Sequence, residues 1–467
     1  MSLTPPCESF DPDAVAADDR DCLWHHIKPH HLFQSAEQPV IASGDGLVVR
    51  DIRGREYLDA ASGGVWSVIV GYGRRAIARA VAHQLETLPY YAGVLGTVPA
   101  ARLARALVDR LPGMDKIFFS NSGSEANEKA FKLVRQAARL GRDRAGKVKI
   151  LYRDRDYHGT TLATLSATGQ AERRRGFEPL CPGFVQVPHP LCYRCPFELS
   201  YPGCEMRCAT EVERIIESEG PDTVGALIVE PITAGGGIIV PRDEYLPMIE
   251  RICRRHGLWL IIDEVVCGFG RTGVFWGHQH FGISPDIVTM AKGMAGGYEP
   301  LSATAVRPEI FQRFLNDPAD PGQRLNYFRD ISTYGGCTGP MAAALETLRI
   351  IDAEDLVGNS RRMGTYLLDR LRELADMPLV GDVRGRGLFC GVELVADKKT
   401  KQPISEALMG RIVAAINARG VLVGRTNASL PGNNTIMNFA PALIVTREQI
   451  DQIVDAVKAV LAQRWRD

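Results

Sequence analysis

Lys292 and Asp263 are the residues whose types and settings could do chemistry together. Lys292 follows the apolar run Ile287-Val288-Thr289-Met290-Ala291 and precedes the glycine-rich stretch Gly293-Met294-Ala295-Gly296-Gly297. Asp263 closes a second such run, Leu258-Trp259-Leu260-Ile261-Ile262. A lysine in apolar surroundings loses preference for its charged form and becomes a usable amine nucleophile. An aspartate at the end of a buried strand is placed to hold a proton on a heteroaromatic nitrogen. Those are the two groups that pyridoxal phosphate chemistry asks of a protein: an amine for a Schiff base and an acidic partner for the pyridine nitrogen. Each alone has a plainer reading. A lysine after a strand is ordinarily a solvated loop residue, and Asp263-Glu264 could be no more than a polar strand end.

Two further stretches add to the pair. Ser120-Asn121-Ser122-Gly123-Ser124-Glu125-Ala126-Asn127 follows an apolar run and opens a helical pattern. Small residues let a backbone approach a ligand closely, and the free N–H groups of a helix start attract an anion such as phosphate. The plainer reading is a capping box between Ser122 and Glu125, which needs no ligand. The stretch lacks the lysine of a P-loop and the three glycines of a dinucleotide fingerprint, which disfavours a nucleotide-binding enzyme. Tyr157-His158-Gly159 follows another apolar run and could lay an aromatic face over a flat ring. A loop tyrosine filling a crevice would look the same.

These residues need a frame that gathers them. Apolar runs at Lys116–Ser120, Val148–Tyr152, Gly225–Glu230, Leu258–Asp263, Ile287–Met290 and Ser302–Val306 alternate with amphipathic stretches such as Glu125–Leu140 and Glu211–Glu219. Uncut apolar strands between helices predict a mostly parallel sheet covered on both faces. Ligands of such sheets bind beyond the carboxyl ends of the strands. Asp263, Glu230, Tyr157 and Lys292 all fall there. The chain ends read differently. Residues 46–59 pattern as a hairpin, and a long helical stretch begins near Ala342 and breaks near Gly358. A strand near Val421 and a last helix from Thr446 complete an α+β tail. The expected division is an N-terminal segment of a small domain over 1–58, a large domain over 59–339, and the rest of the small domain over 340–467.

The chain has 467 residues, 45% of them hydrophobic and 24% charged, and its 55 basic residues balance its 55 acidic ones. That balance gives no global field for nucleic acid or an anionic membrane surface. No stretch approaches the ~18 apolar residues of a membrane span, and the acidic first residues do not resemble a signal peptide. A cytoplasmic setting is expected. Four of the 11 cysteines cluster as Cys192, Cys195, Cys204 and Cys208. A reducing compartment argues against disulfides there. The spacing is only roughly that of a zinc site, so free thiols and no metal are expected.

Taken in order, Phe119–Asn127, Tyr157-His158-Gly159, Glu230-Pro231, Ile262-Asp263-Glu264-Val265 with Gly268-Phe269-Gly270-Arg271-Thr272-Gly273, and Ala291-Lys292-Gly293 resemble the motifs of class III aminotransferases, the omega-aminotransferase group of fold-type-I pyridoxal phosphate enzymes. The resemblance runs from Tyr57 to the last helix. It implies an α/β fold with a large, mostly parallel seven-stranded sheet and a smaller α+β domain made from both chain ends. Lys292 would attach the cofactor and shuttle a proton, Asp263 would bind its ring nitrogen, and Val265 and Tyr157 would pack on either side of the ring. Gly123 and Ser124 would hold the phosphate, and Glu230 would line the site. Thr333, in Ser332-Thr333-Tyr334-Gly335-Gly336, resembles a threonine that reaches the phosphate of the neighbouring subunit, which implies a homodimer or a higher homo-oligomer. The chain departs from the commoner family form at Cys337-Thr338.

Within the group, Gly296-Gly297-Tyr298-Glu299-Pro300-Leu301-Ser302 resembles the omega-amino acid–pyruvate branch. Trp66 resembles that branch's pocket tryptophan, with Tyr90 and Tyr91 near the entrance. Arg425 resembles a mobile arginine that binds the carboxylate of the keto acid acceptor, although a surface arginine after a strand would look alike. The implied activity moves an amine from β-alanine, taurine or a similar donor to pyruvate. An aminomutase, a decarboxylating transaminase and a non-catalytic binding protein on the same scaffold stay open at this level.

Overall fold

A computed structural model describes residues 10–35 and 38–465. Near the N-terminus, β1 (Ile41–Asp45), β2 (Val48–Asp51) and β3 (Glu56–Asp59) form an antiparallel meander. Seven strands then make the central sheet: β4 (Lys116–Ser120), β5 (Lys149–Arg153), β6 (Phe184–Val187), β7 (Val224–Val229), β8 (Trp259–Asp263), β9 (Ile287–Met290) and β10 (Ser302–Val306). Their order is β4-β10-β9-β8-β7-β5-β6, and β10 alone runs antiparallel to its neighbours. The α/β fold of fold type I expected from the sequence is present.

Burial explains why the strands carry no polar alternation. Every residue of β7, β8, β9 and β10 is buried. Leu227 and Val229 face one helical layer while Ala226 and Ile228 face the other. The helix Tyr245–His256 shows the matching logic. It buries Tyr245, Leu246, Ile249, Ile252 and Cys253 on one stripe, places Arg254, Arg255 and His256 in its last turn, and stops at Gly257, whose φ is 65°. Cations at a helix C-terminus and a left-handed glycine beyond it are favourable on dipole and steric grounds.

Beyond the central sheet, β11 (Val380–Gly385), β12 (Cys390–Asp397), β13 (Gln402–Pro403), β14 (Val421–Leu422), β15 (Gly424–Arg425) and β16 (Ile436–Phe439) follow. β14 pairs parallel to β3, Val421 opposite Leu58, so the two chain ends share one sheet. β11, β12, β16 and β15 form a third sheet, with β13 on β12. The long C-terminal helical stretch breaks at Glu354-Asp355, earlier than Gly358. Asp355 adopts φ 46° and caps the next helix by accepting from Gly358 N–H at 3.2 Å, so the glycine is inside that helix. Edge strand β6 was not among the expected strands. Among the described residues no helix is long and apolar enough to cross a membrane.

Candidate active site

The carboxyl ends of β4, β5, β7, β8 and β9 open into one cavity of about 420 Å³. Lys292, Asp263, Glu230, Tyr157, Val265, Gly123, Ser124 and Trp66 all line it. Parallel strands bring these residues together from widely separated parts of the chain, which is what the fold supplies to the chemistry.

Lys292 follows β9 directly. It takes a left-handed φ of 37° and opens a single 3₁₀ turn, Lys292–Ala295. Its side chain is half-buried and lines the cavity. Burial lowers its pKa below the ordinary lysine value, opposed by the charges of Asp263 and Glu230 and by Cys267. Its Nζ makes no hydrogen bond or ion pair among the described residues. A desolvated amine without a partner is what covalent attachment of an aldehyde requires.

Asp263 is 3% exposed and held at three points. Its Oδ1 accepts from Val265 N–H at 3.0 Å, its Oδ2 accepts from Asn127 Nδ2 at 2.8 Å, and His158 Nδ1 lies 2.8 Å from Oδ2. Thr289 Oγ1 donates to Asn127 Oδ1 at 2.7 Å, which fixes the orientation of that amide. His158 Nε2 is buried without a partner. Asn127, His158 and Thr289 went unassigned at the level of sequence, although Asn127 and His158 lie inside quoted motifs. Of the three, only His158 adjoins an expected site residue, Tyr157.

Glu230 is fixed as firmly. Its carboxylate accepts from Tyr157 N–H at 2.9 Å and Ala234 N–H at 3.0 Å. Fully buried Arg153 donates to Glu230 O at 2.6 Å and to Asp156 Oδ1 at 2.9 Å, and Asp156 Oδ2 in turn accepts from Glu230 N–H at 3.0 Å. Burial, then Asp156 and Asp263, push the Glu230 carboxyl well above the usual carboxylate range.

The opposite wall is the start of the helix Gly123–Ala137. Ser122 caps it, accepting from Glu125 N–H at 3.2 Å, while the Glu125 carboxylate takes Asn121 N–H at 3.1 Å. The cap and the cavity therefore coexist at this helix start. Gly123 gives close approach here: a Cβ would lie 3.0 Å from Val265 Cγ1 and press on that side chain. Ser124 Oγ accepts from Thr160 N–H at 3.1 Å, joining the loop after β5 to the helix start. Tyr157 stands under the Arg173 guanidinium, 5.5 Å from the ring centroid, and burial raises its phenol pKa.

Four expected residues, Thr333, Tyr90, Tyr91 and Arg425, stand outside this cavity. Thr333 is exposed in a one-turn helix. Tyr91 lines a separate groove of about 400 Å³ with Val94, Leu95, Phe119 and Ile331. Arg425, on β15, does not line the cavity; its Nη1 lies beside Gly410, and burial lowers its pKa against the opposing charge of Glu406. The described cysteines are all free thiols, and burial with the nearby Cys192, Cys204 and Cys195 raises Cys208 to about 11. Among the described residues, the one cluster whose possible ligand atoms lie within 4.8 Å of one another is Glu213, Glu217 and His256.

An unpaired half-buried lysine, a strand-end aspartate held by three groups and a helix start closed by Gly123 and Ser124 fit pyridoxal phosphate at its aldehyde, ring nitrogen and phosphate. Fold and site together define a pyridoxal phosphate-dependent transaminase of fold type I. Residues 33–461 match the family described as aminotransferase class-III, and the chain belongs to that family. It is 51% identical over 449 residues to a taurine–pyruvate aminotransferase of Rhodobacter capsulatus, covering 96% of each chain. It is 49% identical over 451 residues to a hypotaurine/taurine–pyruvate aminotransferase of Paracoccus denitrificans, covering 96% of this chain and 97% of that one. Among solved structures, a Bacillus anthracis aminotransferase superposes with a TM-score of 0.91 at 41% identity, covering 96% of this chain and 98% of the other.

Proposed function

We propose that the chain transfers the amino group of a small omega-amino compound, of the taurine and hypotaurine kind, to pyruvate. The observation that carries this reading is the cavity itself, in which one unpaired lysine faces one fixed aspartate. The relatives at about half identity, named for taurine and pyruvate, support the choice of substrates.

Lys292 would hold the cofactor covalently, Asp263 would bind its ring nitrogen, and Gly123 with Ser124 would hold its phosphate. Val265 and Tyr157 would cover the ring, with Glu230 beside it. When bound, pyridoxal phosphate supplies an electron sink for the carbanion formed beside the amine nitrogen. Each protein group then has a task set by its surroundings. Burial favours the neutral form of the Lys292 amine, so Nζ can take a proton and return it. Asp263, fixed by Asn127, His158 and Val265 N–H, needs no reorganisation to keep a positive charge in front of it.

At the rim, Trp66 bounds the space for the donor and Arg425 receives the acceptor carboxylate. The place of Arg425 outside the cavity supports a side chain that withdraws for a donor with no carboxylate beside its amine. A fixed cation there would be left unpaired in a poorly solvated site, at considerable cost.

A homodimer belongs to the same reading. Val94, Leu95, Val98, Ile331 and Tyr334 are each more than half exposed, and several of them rim the groove that holds Tyr91. Apolar exposure of this kind marks an interaction surface; Thr333 lies between Ile331 and Tyr334 in the chain, and on this reading it would reach a second copy's phosphate site. The division of the chain at residues 58 and 339 is proposed on the shared sheet of the two ends, and a cytoplasmic setting on the free thiols.

The test is a screen of amine donors against pyruvate and 2-oxoglutarate, following alanine and glutamate. Formation of alanine from pyruvate with taurine or hypotaurine is the expected result. Turnover of an amine without any keto acid would point instead to an aminomutase.

A further inference from the structure

Trp66 is half-buried at the end of an unusual turn. Ser62–Trp66 forms a single wide turn in which Gly63 and Gly64 take φ 78° and 80°, and Trp66 itself takes φ 67°. A bulky residue rarely adopts that backbone without being held. The start of the turn is well anchored. Asp59 accepts from Ala61 N–H at 2.8 Å and Gly63 N–H at 2.6 Å, and Ser62 Oγ donates to Ala440 O at 2.6 Å. At its end the indole packs against an apolar cluster that includes Phe389, edge-on with centroids 5.6 Å apart, and makes one polar bond, Nε1–H to Asn438 Oδ1 at 3.2 Å.

Asn438 is 4% exposed on β16, directly opposite Gly424 of β15. A Cβ at Gly424 would lie 1.9 Å from Asn438 Oδ1. The amide therefore passes over a bare Cα to reach the indole, and Gly424 is the residue immediately before Arg425. An indole N–H only donates, so the carbonyl side of this amide must face Trp66.

We propose that Asn438 is a positioning residue that sets donor size: it pins the Trp66 indole as the wall of the cavity, and Gly424 exists at its position to let it do so. The proposal rests on the reading of Trp66 as the boundary of the donor space. Without the amide oxygen, the indole keeps its apolar packing but loses the one directional bond that fixes its orientation, and the wall gives way to larger amines.

A double-mutant cycle on the holoenzyme tests this, comparing kcat/KM for taurine with that for a bulky aromatic amine such as 1-phenylethylamine. Asn438→Leu keeps the side-chain size and removes the acceptor. It should shift the ratio toward the bulky amine by roughly three- to tenfold, the worth of one hydrogen bond, with the KM for pyruvate little changed. Trp66→Phe should shift it in the same direction. Combining the two should add nothing further, because both remove the same interaction. Asn438→Asp, which keeps an acceptor oxygen in place, should retain the parental ratio; a purely structural role would not distinguish it from Leu. Should the Leu variant fail to fold, Asn438→Ala takes its place. Additive shifts, or an unchanged ratio in the folded Asn438 variant, overturn the proposal. An unchanged ratio in Trp66→Phe would instead overturn the reading of Trp66 on which it stands.

Discussion

The floor and the rim of the cavity are built on different principles. At the floor, Asp263 has Val265 N–H, Asn127 and His158 around it, and Thr289 fixes Asn127 in turn. Glu230 is locked by two backbone N–H groups and the buried Arg153–Asp156 pair. Away from the floor, the Trp66 indole has one polar bond beside its apolar packing, and the Arg425 side chain, outside the cavity, makes no hydrogen bond or ion pair among the described residues. Groups that act on every substrate are preorganised by several redundant contacts, which cost nothing to reorganise during reaction. Under the proposed roles, the groups that choose substrates rest on fewer polar contacts: one amide fixes the Trp66 wall, and the Arg425 side chain has none to hold it in place. On that reading the difference serves substrate choice, because an arginine fixed in the site would be left unpaired against the donor.

The largest effect should come from the floor. Lys292→Ala should lower turnover by on the order of 10⁴-fold or more, since a covalent anchor and a proton carrier are lost together. The protein should remain folded by circular dichroism and lose its imine absorbance. Multiple turnover without added amine would reject the assignment. Next, Asp263→Asn should lower kcat and kcat/KM together by roughly 10²–10³-fold, the scale for loss of one preorganised electrostatic partner. A change in KM alone would remove Asp263 from the chemistry. At the rim, Arg425→Ala should slow reaction with pyruvate by roughly 10²-fold, the ~2–5 kcal/mol of a lost charged pair. Arg425→Lys should recover part of it, because a point charge cannot reproduce the planar fork.

The smallest effect belongs to neither end and serves as a control. His189 is buried and neutral. Burial, then Arg155, Arg153 and Arg384, lower its pKa from 6.5 to about 2. Above pH 6.5 the folded and unfolded chains carry it alike. As pH falls below 6.5 the unfolded chain takes up a proton that the folded one refuses, so stability is lost by up to ~1.4 kcal/mol for each pH unit. His189→Gln should flatten the fall of Tm between pH 6.5 and 5 and leave the rates at neutral pH alone. A fall as steep as in the parent would show that His189 is not the group responsible.

Much of the floor was legible in the sequence because its residues lie at the ends of uncut apolar runs. β4, β9 and β10 begin and end where those runs do, and Lys292, Asp263, Glu230 and Tyr157 sit at or just beyond the strand ends. β6 escaped because it is four residues long, with Gln186 exposed and only Val187 buried. The break at Asp355 escaped because a glycine is a stronger punctuator on paper than an aspartate able to cap the next helix. The partners of Asp263 are separated from it by 136 and 105 positions, and Asn438 from Trp66 by 372. No local pattern encodes contacts of that range. For Arg425 and Thr333 the sequence suggested roles through resemblance, while the folded chain places both outside the cavity.

The contrast between floor and rim is tested most directly by stopped-flow measurement of the two half-reactions taken separately, amine donor first and pyruvate second. The informative quantity is the ratio of the two rates in each variant. Asp263→Asn should slow both halves alike and leave the ratio near that of the parent. Arg425→Ala should change it by roughly 10²-fold, with the loss confined to the pyruvate half. Equal losses in both halves for Arg425→Ala, or a skewed ratio for Asp263→Asn, would contradict the separation of chemistry from substrate choice.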